Sequence, residues 1–259
     1  MSTLTPGSCL LLSYCNLRAK IIRELLKRSK ELSTPSVVLF DIDGTLLASG
    51  GAGKVALEEA LLAEFGLDSI RIHVPYSGRT DVAIGRDLLK AHDIAPTDAR
   101  LSQLQESYLR RLPEALNRLQ GKVLPGVVKL LDALRTSHPP VLVGLLTGNI
   151  RRGATVKLGH FGIDHYFSFG GFGDGLLDRD EVARAAWAEA QLQHPGELAI
   201  ERTWVLGDTP LDISCARAIG AKVLAVSTGH HSMDELAAHS PDLLLPSLEH
   251  DDLLTKLLG

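Results

Sequence analysis

Two aspartates separated by one residue are the strongest chemical signal in the sequence. Asp41 and Asp43 lie in the segment Asp-Ile-Asp-Gly-Thr, directly after the apolar run 37–40. Carboxylates this close raise each other's pKa unless a cation lies between them. Hard divalent cations such as Mg²⁺ bind carboxylate and carbonyl oxygens, with substrate phosphate and water completing the coordination. The segment therefore predicts a Mg²⁺ site, whereas an ordinary turn between a strand and a loop is the alternative.

Two further apolar runs end in polar turns. Thr147, Gly148 and Asn149 follow one run and offer a hydroxyl and a backbone amide at the start of a helix, which suit phosphate oxygens. Asp208 and Asp212 follow the other, and Asp212 lies one helical turn on, where it can point back at a metal. A helix-capping turn explains each of them singly. Together with the first turn they predict one site for metal-dependent phosphoryl transfer.

Buried strands that alternate with helices must position these turns. Short apolar runs without polar alternation are typical of strands covered on both faces. Alternating strands and helices favour a parallel sheet with right-handed crossovers, so the fold class is predicted to be α/β with a Rossmann-like core. The predicted strands cover residues 37–40, 141–146, 166–169, 203–206 and 223–226, and the predicted helices 127–134, 153–161, 181–192 and 210–219.

One connection is much longer than a crossover requires. About 100 residues separate Asp41 from Val141, whereas a whole βαβ unit takes about 30. The surplus shows no strand pattern, and an insertion at this point lies above the carboxyl ends of the strands, where α/β sheets bind ligands. We therefore expect a helical cap that excludes water and selects the substrate. Its predicted helices are 54–65, 81–92 and 98–119.

The sequence thus predicts three parts of unequal size. An N-terminal extension covers residues 1–34, the α/β core covers 35–47 and 123–259, and the inserted helical cap covers 48–122.

The three turns resemble the motifs of the haloacid dehalogenase superfamily of Mg²⁺-dependent phosphohydrolases, in particular its phosphoglycolate-phosphatase-like branch with a helical cap. Asp-Ile-Asp-Gly-Thr resembles the first motif, Leu-Leu-Thr-Gly-Asn the second and Gly-Asp-Thr-Pro-Leu-Asp the fourth. The likeness covers about residues 37–229. It implies a parallel core with a helical cap, in agreement with the pattern of elements.

The resemblance implies a role for each residue of the turns. Asp41 resembles the nucleophile that forms an aspartyl-phosphate, and Asp43 resembles the general acid and base, whose backbone carbonyl also binds the metal. An aspartate at position 43 argues against the dehalogenases of the superfamily, which lack it. The residues implied to bind Mg²⁺ are Asp41, Asp43, Asp208 and Asp212, and those implied to bind the phosphoryl group are Thr147, Gly148 and Asn149.

The third motif of the family, a Lys or Arg that balances the nucleophile and the phosphate, has two candidates. The branch carries Lys-Pro-x-Pro before the helix that leads to the fourth motif, and this chain departs from that pattern. Arg179 occupies the equivalent loop and is the preferred catalytic cation. Lys157 is the second candidate, although it lies about two turns into its helix, roughly 9–12 Å along the axis from Asn149. A solvated helix residue is the alternative for Lys157.

A segment of the insertion, residues 76–81, contains Gly-Arg-Thr-Asp and resembles a cap loop of the same branch. The resemblance implies that Arg79 contacts the leaving group or the phosphate, because its planar guanidinium suits anionic oxygens. The alternative is a helix N-cap formed by Ser77 or Thr80, with Arg79 in solvent.

Composition limits the function classes. Of 259 residues, 45% are hydrophobic and 22% charged, which is typical of a globular protein. The net charge of −4 argues against a nucleic-acid binder, and no apolar run is long enough to span a membrane. Three cysteines without a Cys-x-x-Cys pair exclude a disulfide-built fold or a zinc ribbon and favour the cytoplasm.

The charge is distributed unevenly along the chain. Residues 1–30 contain six basic residues and one acidic residue, a net of +5, so the remainder carries −9. Residues 16–32 place apolar side chains on one helical stripe, which is typical of an accessory helix for an anionic surface, a partner or the acidic body itself. A loosely ordered upstream extension is the alternative, and we favour it.

These observations lead to one functional expectation. The chain is predicted to be a cytoplasmic, Mg²⁺-dependent phosphatase that hydrolyses a small phosphorylated metabolite, a phosphate monoester, through an aspartyl-phosphate. A phosphomutase or nucleotide phosphatase of the same superfamily is one alternative, and a non-catalytic module that binds phosphate or a partner is another.

Overall fold

A six-stranded parallel sheet organises the protein in the computed structural model, which describes residues 36–194 and 196–258. Its strands run in the order β5-β4-β1-β6-β7-β8, and a separate two-stranded ribbon pairs β2 with β3. The predicted α/β class with a Rossmann-like core is confirmed. The strands are β1 (Ser36–Phe40), β2 (Leu47–Ala48), β3 (Lys122–Val123), β4 (Val141–Leu146), β5 (Gly170–Gly171), β6 (Thr203–Gly207), β7 (Lys222–Val226) and β8 (Leu243–Leu245).

Helices follow most of the strands and cover the sheet. None of the helices in the described ranges is both long and apolar enough to cross a membrane. The extension predicted at residues 1–34 lies outside the described residues. The α-helices are α1 (Ala52–Phe65), α2 (Asp81–Ala91), α3 (Asp98–Leu119), α4 (Val127–Arg135), α5 (Arg151–His160), α6 (Arg179–Gln193), α7 (Pro210–Ala218), α8 (Met233–Ala237) and α9 (Leu253–Leu258).

Strand β1 lies at the centre of the sheet because its side chains are apolar on both faces. Val38 and Phe40 belong to one hydrophobic core, beneath α4, α5 and α9, whereas Val37 and Leu39 belong to the other, beneath α6, α7 and α8. This alternation is the period of two expected of a strand. The run without polar residues is therefore explained by a sheet covered on both faces.

The register of β1 brings the three sequence turns together. Phe40, the last residue of β1, pairs with Leu145 of β4 on one side and with Leu206 of β6 on the other. Asp41, Thr147 and Asp208 therefore begin the loops that leave three neighbouring strands at the carboxyl edge of the sheet. Ligands of open α/β sheets bind at this edge.

The inserted helices form a hydrophobic core of their own. Apolar residues of α1, α2 and α3 pack together, and Ile150 of the core joins this cluster. The insertion was predicted to lack strands, which is wrong at its two ends, because β2 and β3 form an antiparallel ribbon there. Strands of two residues are too short to show an alternating pattern. The division at residues 48–122 stays a prediction.

The strand predicted at residues 166–169 is also wrong. Residues Asp164–Tyr166 form a 3₁₀ turn, and the strand is the following pair, β5. The apolar character of the run reflects packing against the core, since Phe167 contacts Phe40 edge to face and Phe169 is buried under α6. Burial explains most of that pattern, and only at its end does the Phe169 carbonyl accept a hydrogen bond from the Leu145 amide of β4, at 3.1 Å.

Candidate active site

A cavity of about 550 Å³ lies at the carboxyl edge of the sheet. The core contributes the loops after β1, β4 and β6, and the insertion contributes α1 and the segment that leads into α2. The charged residues that line it are Asp41, Asp43, Lys54, Arg79, Asp81, Lys157, Arg179 and Asp208.

Three buried aspartates form an acidic triad in the core. One carboxylate oxygen from each of Asp41, Asp208 and Asp212 lies within 4.8 Å of the others. Burial raises the pKa of Asp41 to about 7, against the lowering effect of Arg179, and raises that of Asp208 to about 9, helped by the neighbouring carboxylates. Such a set of oxygen donors fits a hard divalent cation, which removes the cost of burying like charges.

Helix α7 shows why Asp208 is available to a ligand. Thr209, not Asp208, is the N-cap of this helix, and Asp212 completes a capping box with it. One oxygen of Asp212 accepts hydrogen bonds from the Thr209 amide (3.0 Å) and hydroxyl (2.7 Å). The carboxylate of Asp208 accepts a hydrogen bond from the Thr45 hydroxyl at 3.2 Å, and Asp208 lines the cavity. The capping alternative for Asp208 is therefore wrong.

The turn after β1 requires glycine at position 44. Gly44 has a φ of 88°, in the left-handed region, and a Cβ there would overlap the carboxylate of Asp208. The hydroxyl of Thr228 donates a hydrogen bond to the Gly44 carbonyl at 2.5 Å. Gly44 thus packs directly against Asp208 of the fourth motif and is bound by Thr228 of the loop after β7.

Arg179 is the cation beside Asp41. It is the first residue of α6 and is buried, with Nη1 and Nη2 donating to Oδ1 of Asp41 at 3.3 and 3.2 Å. Nη2 also donates to the carbonyl of Leu146 and contacts Asp212. Its Nε is buried and has no hydrogen-bond partner in the described part of the chain. Arg179 therefore joins the first and fourth motifs and keeps an unused donor.

Lys157 lies in the same site but serves a different carboxylate. Its Nζ donates to Oδ2 of Asp43 at 2.5 Å and to Oδ1 of Asn149 at 2.6 Å, so it is buried rather than solvated. Burial raises the pKa of Asp43, but the Lys157 charge and hydrogen bonds from Lys157, Asn149 and Ser49 outweigh it and lower the pKa. The carboxylate of Asp43 thus belongs to a pair with Lys157 and lies outside the acidic triad.

Only some polar residues of the second motif line the cavity. Gly148 and Asn149 line it, whereas Thr147 is fully buried and is not among the lining residues. The Thr147 hydroxyl accepts hydrogen bonds from the amide and the side chain of Asn149, at 3.3 and 2.8 Å. Thr147 therefore supports Asn149, whose Nδ2 also donates to Asp43 at 3.0 Å.

Arg79 lines the cavity but is bound to the insertion itself. Its guanidinium donates to Asp87 at 2.6 Å and to the carbonyl of Pro75 at 3.1 Å. Thr80 caps α2 through a hydrogen bond from the Ala83 amide, as one sequence alternative expected.

Sequence reasoning did not single out several polar residues of the site. Thr45 belongs to the first motif and Asp81 to the Gly-Arg-Thr-Asp segment, so both had a signal, although neither contact could be predicted from it. Ser49 and Thr228 had none, because their partners are set by the fold: Ser49 donates to Asp43 at 3.2 Å, and Thr228 donates to the Gly44 carbonyl. Asp81 accepts from the Ile150 amide at 2.9 Å.

Comparisons with known proteins find phosphatases among the sequence relatives. The phosphoglycolate phosphatase of Synechococcus elongatus is 29% identical over 214 residues, which cover 80% of this chain and 91% of that protein. The phosphoglycolate phosphatase of Photorhabdus laumondii is 25% identical over 241 residues, covering 88% and 95%.

Solved structures share the fold. A hydrolase from Pseudomonas syringae has a TM-score of 0.62 at 23% identity, covering 86% of this chain and 97% of its own. CbbY from Rhodobacter sphaeroides, solved in complex with phosphate, has a TM-score of 0.63 at 18% identity, covering 83% and 96%. The family model for the haloacid dehalogenase-like hydrolases matches residues 38–217. The chain belongs to the haloacid dehalogenase-like hydrolase family.

Proposed function

We propose that this hydrolase is a Mg²⁺-dependent phosphatase that cleaves a small phosphate monoester through an aspartyl-phosphate. The observation that carries the proposal is the convergence of the acidic triad, Arg179 and the Asp43–Lys157 pair on one cavity. Family membership and the phosphatase names of the two sequence relatives support a phosphatase.

The acidic triad would hold the metal. Mg²⁺ bound by Asp41, Asp208 and Asp212 would supply positive charge to the phosphoryl oxygens as they approach. Arg179 adds a fixed positive charge beside Asp41 and holds its Oδ1 with two donors. This leaves Oδ2 of Asp41 as the oxygen that attacks phosphorus.

The reaction divides into two half-reactions. In the first, a bond forms between Asp41 and phosphorus while the bond from phosphorus to the ester oxygen breaks, and the leaving oxygen takes a proton from the Asp43–Lys157 pair. In the second, water attacks the aspartyl-phosphate and gives a proton back to that pair, which releases phosphate and restores Asp41. The lowered pKa of Asp43 favours the basic form that the second half-reaction requires, and the raised pKa of Lys157 keeps a proton on the pair for the first.

Residues that line the cavity supply hydrogen-bond donors for the phosphoryl oxygens. Gly148 and Asn149 line it beside Asp43, and Arg179 has an unused Nε donor. Charge stabilisation of this kind supplies most of the catalysis in phosphoryl transfer. A cavity of about 550 Å³ under the inserted helices accommodates a small phosphorylated metabolite.

Hydrolysis of p-nitrophenyl phosphate tests the proposal. We expect turnover that depends on added Mg²⁺ and stops with EDTA, and a loss of at least 1,000-fold in kcat for Asp41→Asn, on the order expected for loss of a nucleophile. Asp251→Asn is the matched control, since this exposed aspartate pairs with Lys129 away from the cavity. Acid quenching and mass spectrometry should find phosphate on the peptide that contains Asp41. Equal turnover by Asp41→Asn would contradict the proposal.

A further inference from the structure

The start of helix α2 is attached to the loop after β4, residues 148–150, by two hydrogen bonds of one residue. The backbone amide of Asp81 donates to the carbonyl of Gly148 at 2.8 Å, and its Oδ2 accepts from the amide of Ile150 at 2.9 Å. Asp81 belongs to the insertion, whereas the loop 148–150 belongs to the core. One residue of the insertion therefore spans the peptide units on both sides of Asn149.

The backbones of the two segments fit against each other closely. A Cβ at Gly148 would overlap the carbonyl of Arg79 and lie 3.0 Å from Cα of Thr80, so only glycine permits this approach. Thr80 is fully buried, and its hydroxyl donates to the carbonyl of Leu176 at 2.8 Å. The attachment is thus a packed contact of three segments rather than a single hydrogen bond.

Asp81 also supplies a cap that helix α5 lacks. Ile150 is the N-cap residue of α5 and has no side chain that can accept a hydrogen bond. The carboxylate of Asp81 accepts from the amide of Ile150 itself and places a negative charge at the positive end of the helix. Burial raises the pKa of Asp81 to about 6, against the lowering effects of Lys157 and the Ile150 amide, so the carboxylate is ionised at neutral pH.

We propose that Asp81 is a positioning residue that orients Gly148 and Asn149 for binding of the phosphoryl group. The inference rests on the proposed phosphatase function, since it concerns the same site. Because the loop is held on both sides of Asn149, the hydrogen-bond donors of the loop are already oriented before phosphate binds. Binding then costs less conformational entropy, and phosphate affinity is higher. Phosphate affinity then depends on a residue of the insertion that acts through the loop.

Binding of inorganic phosphate to the full chain with Mg²⁺, measured by calorimetry, tests this role. Asp81→Ala should weaken phosphate binding at least tenfold, and Asp81→Glu at least fivefold, because its longer side chain displaces the acceptor. Asp81→Asn keeps an oxygen acceptor at the same distance and should stay within about threefold of wild type. If the alanine variant does not fold, the glutamate and asparagine variants decide the question.

Asp174 offers a matched control. Its Oδ2 accepts a hydrogen bond from the Arg151 amide at 2.7 Å, so it caps the same helix one residue later, but it comes from an exposed loop of the core. Asp174→Ala should lower the thermal midpoint and leave phosphate affinity unchanged. The proposal is overturned if Asp174→Ala weakens phosphate binding as much as Asp81→Ala, or if asparagine fails to rescue it.

Steady-state kinetics separate this inference from the proposed function. The Asp81 variants should raise KM and the inhibition constant for phosphate more than they lower kcat. If wild type hydrolyses no monoester while phosphate affinity follows the expected order of variants, the phosphatase proposal fails and the positioning role stands. If wild type is active and all Asp81 variants bind phosphate equally, only the positioning role fails.

Discussion

Replacing Arg179 with methionine should destabilise the protein far more than the same replacement at Lys157. The two cations are equally buried, with 4% of each side chain exposed, but their partners differ. Arg179 contacts Asp41 and Asp212, whose side chains are 8% and 1% exposed, whereas Lys157 contacts Asp43, which is 39% exposed. The exposure of the partner therefore decides the cost.

The expected difference can be worked from these contacts. Removing one member of a buried ion pair costs about 3–5 kcal/mol, because a charge stays buried without compensation. Arg179→Met leaves two such carboxylates, so we expect the upper part of that range. Lys157→Met leaves a carboxylate that reaches water and keeps hydrogen bonds from Asn149 and Ser49, at 3.0 and 3.2 Å, so we expect about 1–2 kcal/mol.

Urea unfolding followed by circular dichroism measures both free energies. The experiment uses EDTA at pH 8. A bound divalent cation would otherwise neutralise the carboxylates of Asp41 and Asp212, which lose their positive partner in Arg179→Met. Methionine keeps most of the apolar stem of either side chain, so lost packing contributes little to the difference. Equal destabilisation by the two variants would refute the reasoning, since partner burial would then not determine the cost.

Two further predictions concern the acidic triad and the second motif. In EDTA, wild type should be more stable at pH 6 than at pH 9. Folding raises the pKa of Asp41 to about 7 and that of Asp208 to about 9, from an ordinary value of 3.8. The stability that their protonated forms contribute is therefore full below pH 3.8 and is lost as the pH rises through 7 and 9. The urea midpoint at each pH measures this difference in stability, and added Mg²⁺ should make the two midpoints more alike. A midpoint that does not change with pH would contradict the prediction. Gly148→Ala should lower the thermal midpoint and the phosphate affinity, because the added methyl group overlaps the Arg79 carbonyl. Gly159→Ala, at an open helix position, should instead raise the free energy of unfolding by about 0.5–1 kcal/mol. Equal effects of the two substitutions would contradict the packing argument.

Much of the fold could be predicted from local patterns. The apolar runs of β1, β4 and β6, the helices between them and the helical character of the insertion are each encoded within short segments. The short ribbon of β2 and β3, and strand β5, could not be predicted, because two-residue strands carry no period. Their existence depends on which segments the rest of the fold brings alongside them.

The candidate site divides in the same way. The sequence predicted that Asp41, Asp43, Asp208 and Asp212 would converge, since each follows a strand that ends at one edge of a parallel sheet. The structure groups three of them, and the carboxylate of Asp43 pairs with Lys157 instead. The sequence left Arg179 and Lys157 as alternatives for one position. In the structure they contact different carboxylates, Arg179 that of Asp41 and Lys157 that of Asp43. The roles of these residues stay predictions until the variants are measured.

The sequence by itself determined the class of fold, the family and the edge of the sheet where chemistry is expected, because strand period and motif spacing are local properties of the chain. Only the tertiary structure decided which cation neutralises which aspartate, that Arg79 is bound to Asp87, and that Asp81 holds the loop around Asn149. These contacts depend on the reach and direction of side chains from separately packed helices. Lys157 and Asp43 are 114 positions apart in the sequence, and no local pattern predicts a contact between residues so widely separated.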